Sequence, residues 1–148
     1  MTVTIRPMDA TDQQAWRALW QDYLTFYKSE LAEDISEATF ARLTDPARTE
    51  RAAFVAVFEG DIIGFVHYIT HAHNWRLEDV VYLQDLFVTK AARGKGAARA
   101  LIQRVYDTAD ENGTPSVYWM TQEFNHSARK LYDQVATLTP FVKYQRPS

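Results

Sequence analysis

Apolar residues recur along the chain with two periods, and the switches between them mark out the elements. Thr2-Val3-Thr4-Ile5-Arg6 alternates as a strand does. Trp16, Leu19, Trp20, Tyr23, Leu24 and Tyr27 then return at three and four residues, which predicts an amphipathic helix entered through Pro7 and Asp12. Glu30, Glu33, Asp34 and Glu37 surround Ser36, an N-cap candidate for a second short helix carrying Ala38, Phe40, Ala41 and Leu43. Acids at a helix start complement its dipole, and the same charges would draw a cationic substrate. Phe54 to Phe58 and Ile62 to Tyr68 flank Glu59-Gly60-Asp61 and predict a hairpin, which Val80 to Val88 extends. The polar segment His71 to Asp79, with Trp75 inside it, is either a hairpin loop or part of a substrate rim. From Ala98 onward Leu101, Ile102, Val105 and Ala109 form the stripe of a helix lying on a sheet, closed by Asn112-Gly113 with Pro115 beyond. Val117 to Met120 reads as a buried strand, Asn125 to Val135 as a helix, and Phe141 to Tyr144 as a last strand. This order predicts one α/β domain over residues 1–148, in two or three layers.

One junction in this pattern carries chemistry. The apolar run Leu83 to Val88 leads through Arg93-Gly94-Lys95-Gly96-Ala97-Ala98 into a helix. A helix start leaves backbone N–H groups unpaired and concentrates partial positive charge, so a pyrophosphate can supply the missing acceptors. A side chain at either glycine would hold the backbone off the phosphates or resist a positive φ. The chain has no Gly-Lys-Ser/Thr ending and lacks the glycine spacing of a dinucleotide fingerprint, so the loop predicts a phosphate-bearing ligand of another kind.

Composition narrows the class. The 148 residues are 47% hydrophobic and 14% aromatic, enough for a packed core. A formal net charge of −3 disfavours general binding to nucleic acid and favours a basic small molecule or peptide. With no cysteine, no disulfide and no acyl-cysteine intermediate can form, which suits a cytoplasmic setting and leaves any acyl transfer to go directly to the acceptor or through a different nucleophile. No apolar run reaches membrane-spanning length, so no membrane partner is expected. His71-Ala72-His73 lacks a third ligand of suitable spacing, so no metal is expected.

Two motifs together resemble the GNAT superfamily of acetyl-CoA-dependent N-acetyltransferases. The family's loop, Gln/Arg-x-x-Gly-x-Gly/Ala, is matched by Arg93, Gly96 and Ala98 after Leu86-Phe87-Val88. Its second motif, Asn-x-x-Ala-x-x-Leu/Phe-Tyr, is matched by Asn125, Ala128, Leu131 and Tyr132. The resemblance implies a GNAT fold, a mixed and largely antiparallel central sheet of about six to seven strands flanked by about four helices. It also implies acetyl-CoA as cosubstrate, its pyrophosphate on the amides of Arg93, Gly94, Lys95, Gly96, Ala97, Ala98 and Arg99. The pantetheine arm would lie along Leu86, Phe87 and Val88, with a main-chain N–H near Val88 on the acetyl oxygen and Asn125 beside the arm. Tyr82 to Val88 and Trp119 to Asn125 further resemble the branch acting on histone tails, polyamines and small amines, although Gln84 stands where polyamine enzymes carry glutamate. A homodimer is implied as well, with Phe141 and Tyr144 available to its interface.

The acceptor would be a primary amine of a small molecule, a polyamine or a peptide lysine. Such an amine has a pKa of about 10.4 and must lose a proton before attack. Asp85, Glu123 and His67 or His71 are candidate bases. Tyr132 is implied as the acid that protonates the departing thiolate. Tyr23, Phe26, Tyr27 and Trp75 could line an acceptor pocket, because aromatic faces attract ammonium groups. The rival reading is a catalytically silent CoA-binding regulatory or interaction module.

Overall fold

Five strands form one sheet in sequence order in the computed structural model, which describes residues 2–148: β1 (Thr4–Pro7), β2 (Arg51–Phe58), β3 (Asp61–His71), β4 (Val80–Val88) and β5 (Val117–Tyr118). The first four pair antiparallel and β5 joins β4 in parallel. Alternation in β2 and β3 gives the sheet two apolar faces. Val55 and Phe65 pack under α1 (Gln13–Phe26) and α2 (Glu33–Thr44), whereas Phe54 and Val66 pack under α3 (Ala97–Glu111). Leu131, Tyr132 and Val135 of α4 (His126–Val135) add to the α3 side, so the fold is a three-layer α/β sandwich. One mixed sheet and four helices match the α/β architecture that the resemblance implies, with fewer strands than the anticipated six to seven.

The missing strands have physical causes. Phe141 to Tyr144 forms no strand; Phe141, Val142 and Tyr144 are 82%, 78% and 93% exposed, and no sheet edge lies against them to complete a ladder. Pro140 also withholds a donor at the start of that run. The run Val117 to Met120 contributes only two paired residues, with Tyr118 and Met120 exposed, because it leaves the sheet after Tyr118. Ser36, expected as an N-cap, lies inside α2, where its buried hydroxyl accepts the Trp20 indole N–H at 3.0 Å. Helix α3 ends where the sequence predicts, with Gly113 N–H returning to Asp110 O and Thr114 N–H to Ala109 O.

Gly64 sets how closely β3 and β4 approach at the end nearest the loop. A Cβ there would meet the Phe87 carbonyl oxygen at 2.7 Å and Val88 Cγ2 at 3.0 Å. Gly64→Ala is therefore expected to destabilise the protein by about 1–3 kcal/mol, read as a lower urea midpoint with an unchanged m-value.

Candidate active site

A short turn, Lys90–Ala92, carries the chain from β4 to the loop, and α3 begins at Ala97. Gly94 and Gly96 both hold positive φ, 88° and 77°, and Gly96 is the N-cap in the left-handed region. Open space surrounds both, so the glycines answer a backbone requirement rather than a crowded one. Among the described residues, no amide from Gly94 to Arg99 donates to a protein acceptor; the first bond into the helix is Ala100 N–H to Gly96 O at 3.0 Å. Arg93 and Lys95 are exposed, Lys95 Nζ standing 4.8 Å from the Phe58 ring centre, and Arg99 bonds Gln134 Oε1 on α4. Six consecutive free amides at the positive end of a helix of about four turns form a donor set suited to a diphosphate.

Beside this loop the sheet opens. β4 and β5 pair only at Val81 with Val117 and Tyr82 with Tyr118, and beyond them the strands part. The edge of β4 from Leu83 to Val88 is left without a strand neighbour on that side, and so offers main-chain donors and acceptors to an extended ligand. The residues of this edge also change face. Tyr68 pairs with Leu83 but His67 with Asp85, so Gln84 is an extra, bulged residue. Leu83 therefore packs on the α3 side while Asp85, two residues on, faces α1; simple alternation would have placed both on one face. Leu86 and Val88 pack toward α3 and Phe87 toward α1.

Asp85 lies in a hydrogen-bonded cluster. Its Oδ1 accepts the Tyr23 hydroxyl at 2.7 Å, and its Oδ2 lies 2.9 Å from His67 Nδ1. His67 is buried, and its Nε2 accepts the Trp16 indole N–H at 3.0 Å. Burial first, and then the Asp85 charge, push the Tyr23 hydroxyl well above its ordinary value, so it stays a donor. The end of α1 also spans the gap between β4 and the chain after β5: Tyr23 holds Asp85, while Phe26 lies 6.3 Å from Phe124.

Tyr132 stands on the far side of the gap, half-buried, with its ring 5.5 Å from Trp119. Its hydroxyl has no protein partner among the described residues, and burial pushes it up to about 12. Asn125 is the α4 N-cap by position, but its side chain makes no capping bond and reaches Thr121 Oγ1 at 3.2 Å instead. Glu123 is exposed and its carboxylate has no partner among the described residues, so the structure does not bring it to Asp85 and Tyr23. His71 meets the Tyr118 hydroxyl at 2.8 Å and His73 accepts the Trp75 amide, so the two imidazoles serve different neighbours. Trp75 is 89% exposed at the tip of the β3–β4 loop. The sequence gives His67 as a candidate base but offers no sign of its indole partner, because Trp16 lies 51 residues away and no local spacing joins the two.

The profile of the Acetyltransferase (GNAT) family matches residues 13–136. A D-amino-acid N-acetyltransferase of Saccharomyces cerevisiae is 43% identical over 145 residues, which cover 97% of this chain and 90% of that protein. An uncharacterized N-acetyltransferase of Bacillus subtilis is 30% identical over 132 residues, 89% of this chain and 87% of that one. Among solved structures, an acetyltransferase bound to the bisubstrate analogue CoA-S-monomethyl-acetylneamine superposes with a TM-score of 0.86 at 23% identity, covering 100% of this chain and 99% of that one. A ribosomal-protein-alanine N-acetyltransferase from Brucella melitensis biovar Abortus 2308 gives 0.84 at 23% identity, with both chains covered in full, 100% each. Both structural likenesses establish the shared fold.

Proposed function

The chain belongs to the GNAT acetyltransferase family, and from that premise we propose that it moves the acetyl group of acetyl-CoA directly to the primary amine of a small molecule, with amino acids the leading acceptor class. The observation that carries the reading is the set of free amides from Gly94 to Arg99 at the end of a strand whose outer edge is unpaired. These amides, with Arg93 and Lys95 near them, would hold the pyrophosphate, and the Leu86, Phe87 and Val88 edge would hold the pantetheine arm with Asn125 beside it. The 43% identity to a D-amino-acid enzyme favours amino acids over polyamines and peptide lysines.

In this reading the acceptor nitrogen bonds the acetyl carbon as the carbon–sulfur bond breaks. Asp85, set by the bulge beside the β4 edge, takes up the proton that the ammonium must lose. Glu123, the other carboxylate named from sequence, is exposed without a partner and is the weaker candidate. Tyr132 gives its proton to the sulfur as it departs. The Val88 amide would support the oxyanion. We place the exposed Leu138, Phe141, Val142 and Tyr144 at a homodimer contact, since exposed apolar clusters favour association. A cytoplasmic setting fits the absence of cysteine. No helix among the described residues is long and apolar enough to cross a membrane.

The test is release of free CoA thiol from acetyl-CoA with a panel of D- and L-amino acids, polyamines and a lysine peptide. Thiol release that requires an amine is expected, with D-amino acids leading; no release with any amine would overturn the proposal and favour a silent CoA-binding module. Gly96→Ala should weaken acetyl-CoA binding by about tenfold in calorimetry, because a side chain resists the left-handed backbone that aims the amides, at a strain of order 1–2 kcal/mol.

A further inference from the structure

The donors and acceptors around Asp85 fix the charge of the whole cluster. An indole N–H can only donate, so the Trp16 contact at 3.0 Å requires a lone pair on His67 Nε2. The single imidazole proton is then on Nδ1, directed at Asp85 Oδ2 at 2.9 Å. A second proton on Nε2 would face the indole N–H head-on, in a buried site whose imidazole stacks on Phe65 at 4.5 Å. The tyrosine hydroxyl on Oδ1 is neutral as well.

No cation therefore balances Asp85. Trp16 and Tyr23 of α1 bond the pair, Trp20 of α1 and Phe65 of β3 lie against the imidazole, and Tyr82 of β4 stands near Asp85; behind them Tyr27 packs on Tyr23, and α2 sets Phe40 on Trp16 and Ser36 on Trp20. Among the described residues, no lysine or arginine forms an ion pair with it. A carboxylate whose side chain is 14% exposed, held by two neutral donors and lacking a counter-ion, carries a desolvation cost that a cationic ligand would offset.

We propose that Trp16 locks His67 in its neutral form so that Asp85 keeps a full negative charge, and that this charge is the docking point for the acceptor's ammonium group. Asp85 is the group that touches substrate; His67 and Trp16 are positioning residues. The inference rests on the amine-acetyltransferase reading above and adds to it the means by which an acceptor is drawn in as a cation.

The discriminating variant is Trp16→Phe, which frees Nε2 to take a proton. A positive imidazole would pair with Asp85 and cancel its charge, so acceptor binding should weaken as pH falls through the range where imidazoles titrate, about 6 to 7. The amine KM of the variant is expected to climb by about tenfold per pH unit below that range, relative to wild type. The KM for acetyl-CoA should not follow. His67→Asn keeps a donor to Asp85 and has no ionisable group, so it should show no such pH step. Nitrogen-15 NMR of the full chain reads the lock without any turnover: wild-type His67 should stay in the Nδ1–H form from pH 5.5 to 8, and Trp16→Phe should titrate, where pH limits of about 5.5 and 8 bracket the free imidazole range. A wild-type His67 that titrates there overturns the lock, even if the Trp16 variant fails to fold. Parallel amine KM profiles for wild type and a folded Trp16→Phe overturn it as well. Loss of the parent reading looks different, since wild type would then release no thiol with any amine while the tautomer measurement stood by itself.

Discussion

Replacing Tyr132 with phenylalanine is expected to lower kcat by about 10²- to 10⁴-fold, the range for loss of a positioned proton donor. The substitution removes only the oxygen, and that hydroxyl bonds no protein atom among the described residues, so the core around Trp119 and Leu131 should keep its packing. The state of the group is right for the role. Burial, with a smaller contribution from Tyr27, pushes it up to about 12, so the phenol carries its proton through the working pH range and is present as a hydrogen-bond donor to the sulfur as the carbon–sulfur bond breaks. A raised value here means the donor is lost only as pH climbs toward that value, so the wild-type rate should show no basic limb from Tyr132 below about pH 11. Affinity for acetyl-CoA should change little, because the loop amides and the β4 edge are untouched. Steady-state kinetics with a calorimetric Kd for CoA make the comparison, and a variant with wild-type kcat would remove Tyr132 from the chemistry.

The second large effect is expected at Asp85. An asparagine there carries no charge and has one acceptor oxygen where the carboxylate has two. Tyr23 and His67 both donate into this side chain, so one of them would face an amide N–H₂ instead. Leaving a buried donor unpaired costs about 1–3 kcal/mol, which should appear as a lower melting temperature. The amine should lose more. Truncating one side of a desolvated charge pair costs about 2–5 kcal/mol, so Asp85→Asn should reduce kcat/KM for the amine by roughly 30- to several-thousand-fold. Acetyl-CoA affinity should be retained. A drop in stability with unchanged amine kinetics would make Asp85 a structural residue only.

Local pattern was sufficient wherever one residue type has one use. The loop was legible because glycine at 94 and 96 answers a backbone need, and both carry positive φ. The helices were legible because α1 and α3 repeat apolar residues every three to four positions over 14 and 15 residues. Ser36 was misread for the opposite reason. A serine near the start of a helical pattern fits a cap, but burial against Trp20 gave its hydroxyl a partner 16 residues away. The Phe141 to Tyr144 run has strand composition, yet a strand exists only with a neighbour, and composition carries no record of one.

The sequence by itself therefore determined the order of the helices and long strands, the glycine-hinged turn before α3 and the family, since each depends on contacts among residues near in the chain or on a motif. Only the tertiary structure decided which of the two carboxylates, Asp85 or Glu123, is held among side chains of α1 and β3. The bulge at Gln84 turns Asp85 to the α1 face, and Trp16, Tyr23 and His67, drawn from a helix and a neighbouring strand, fix its charge and direction. Period and propensity are properties of a segment, whereas a register slip and a long-range hydrogen bond belong to two segments at once.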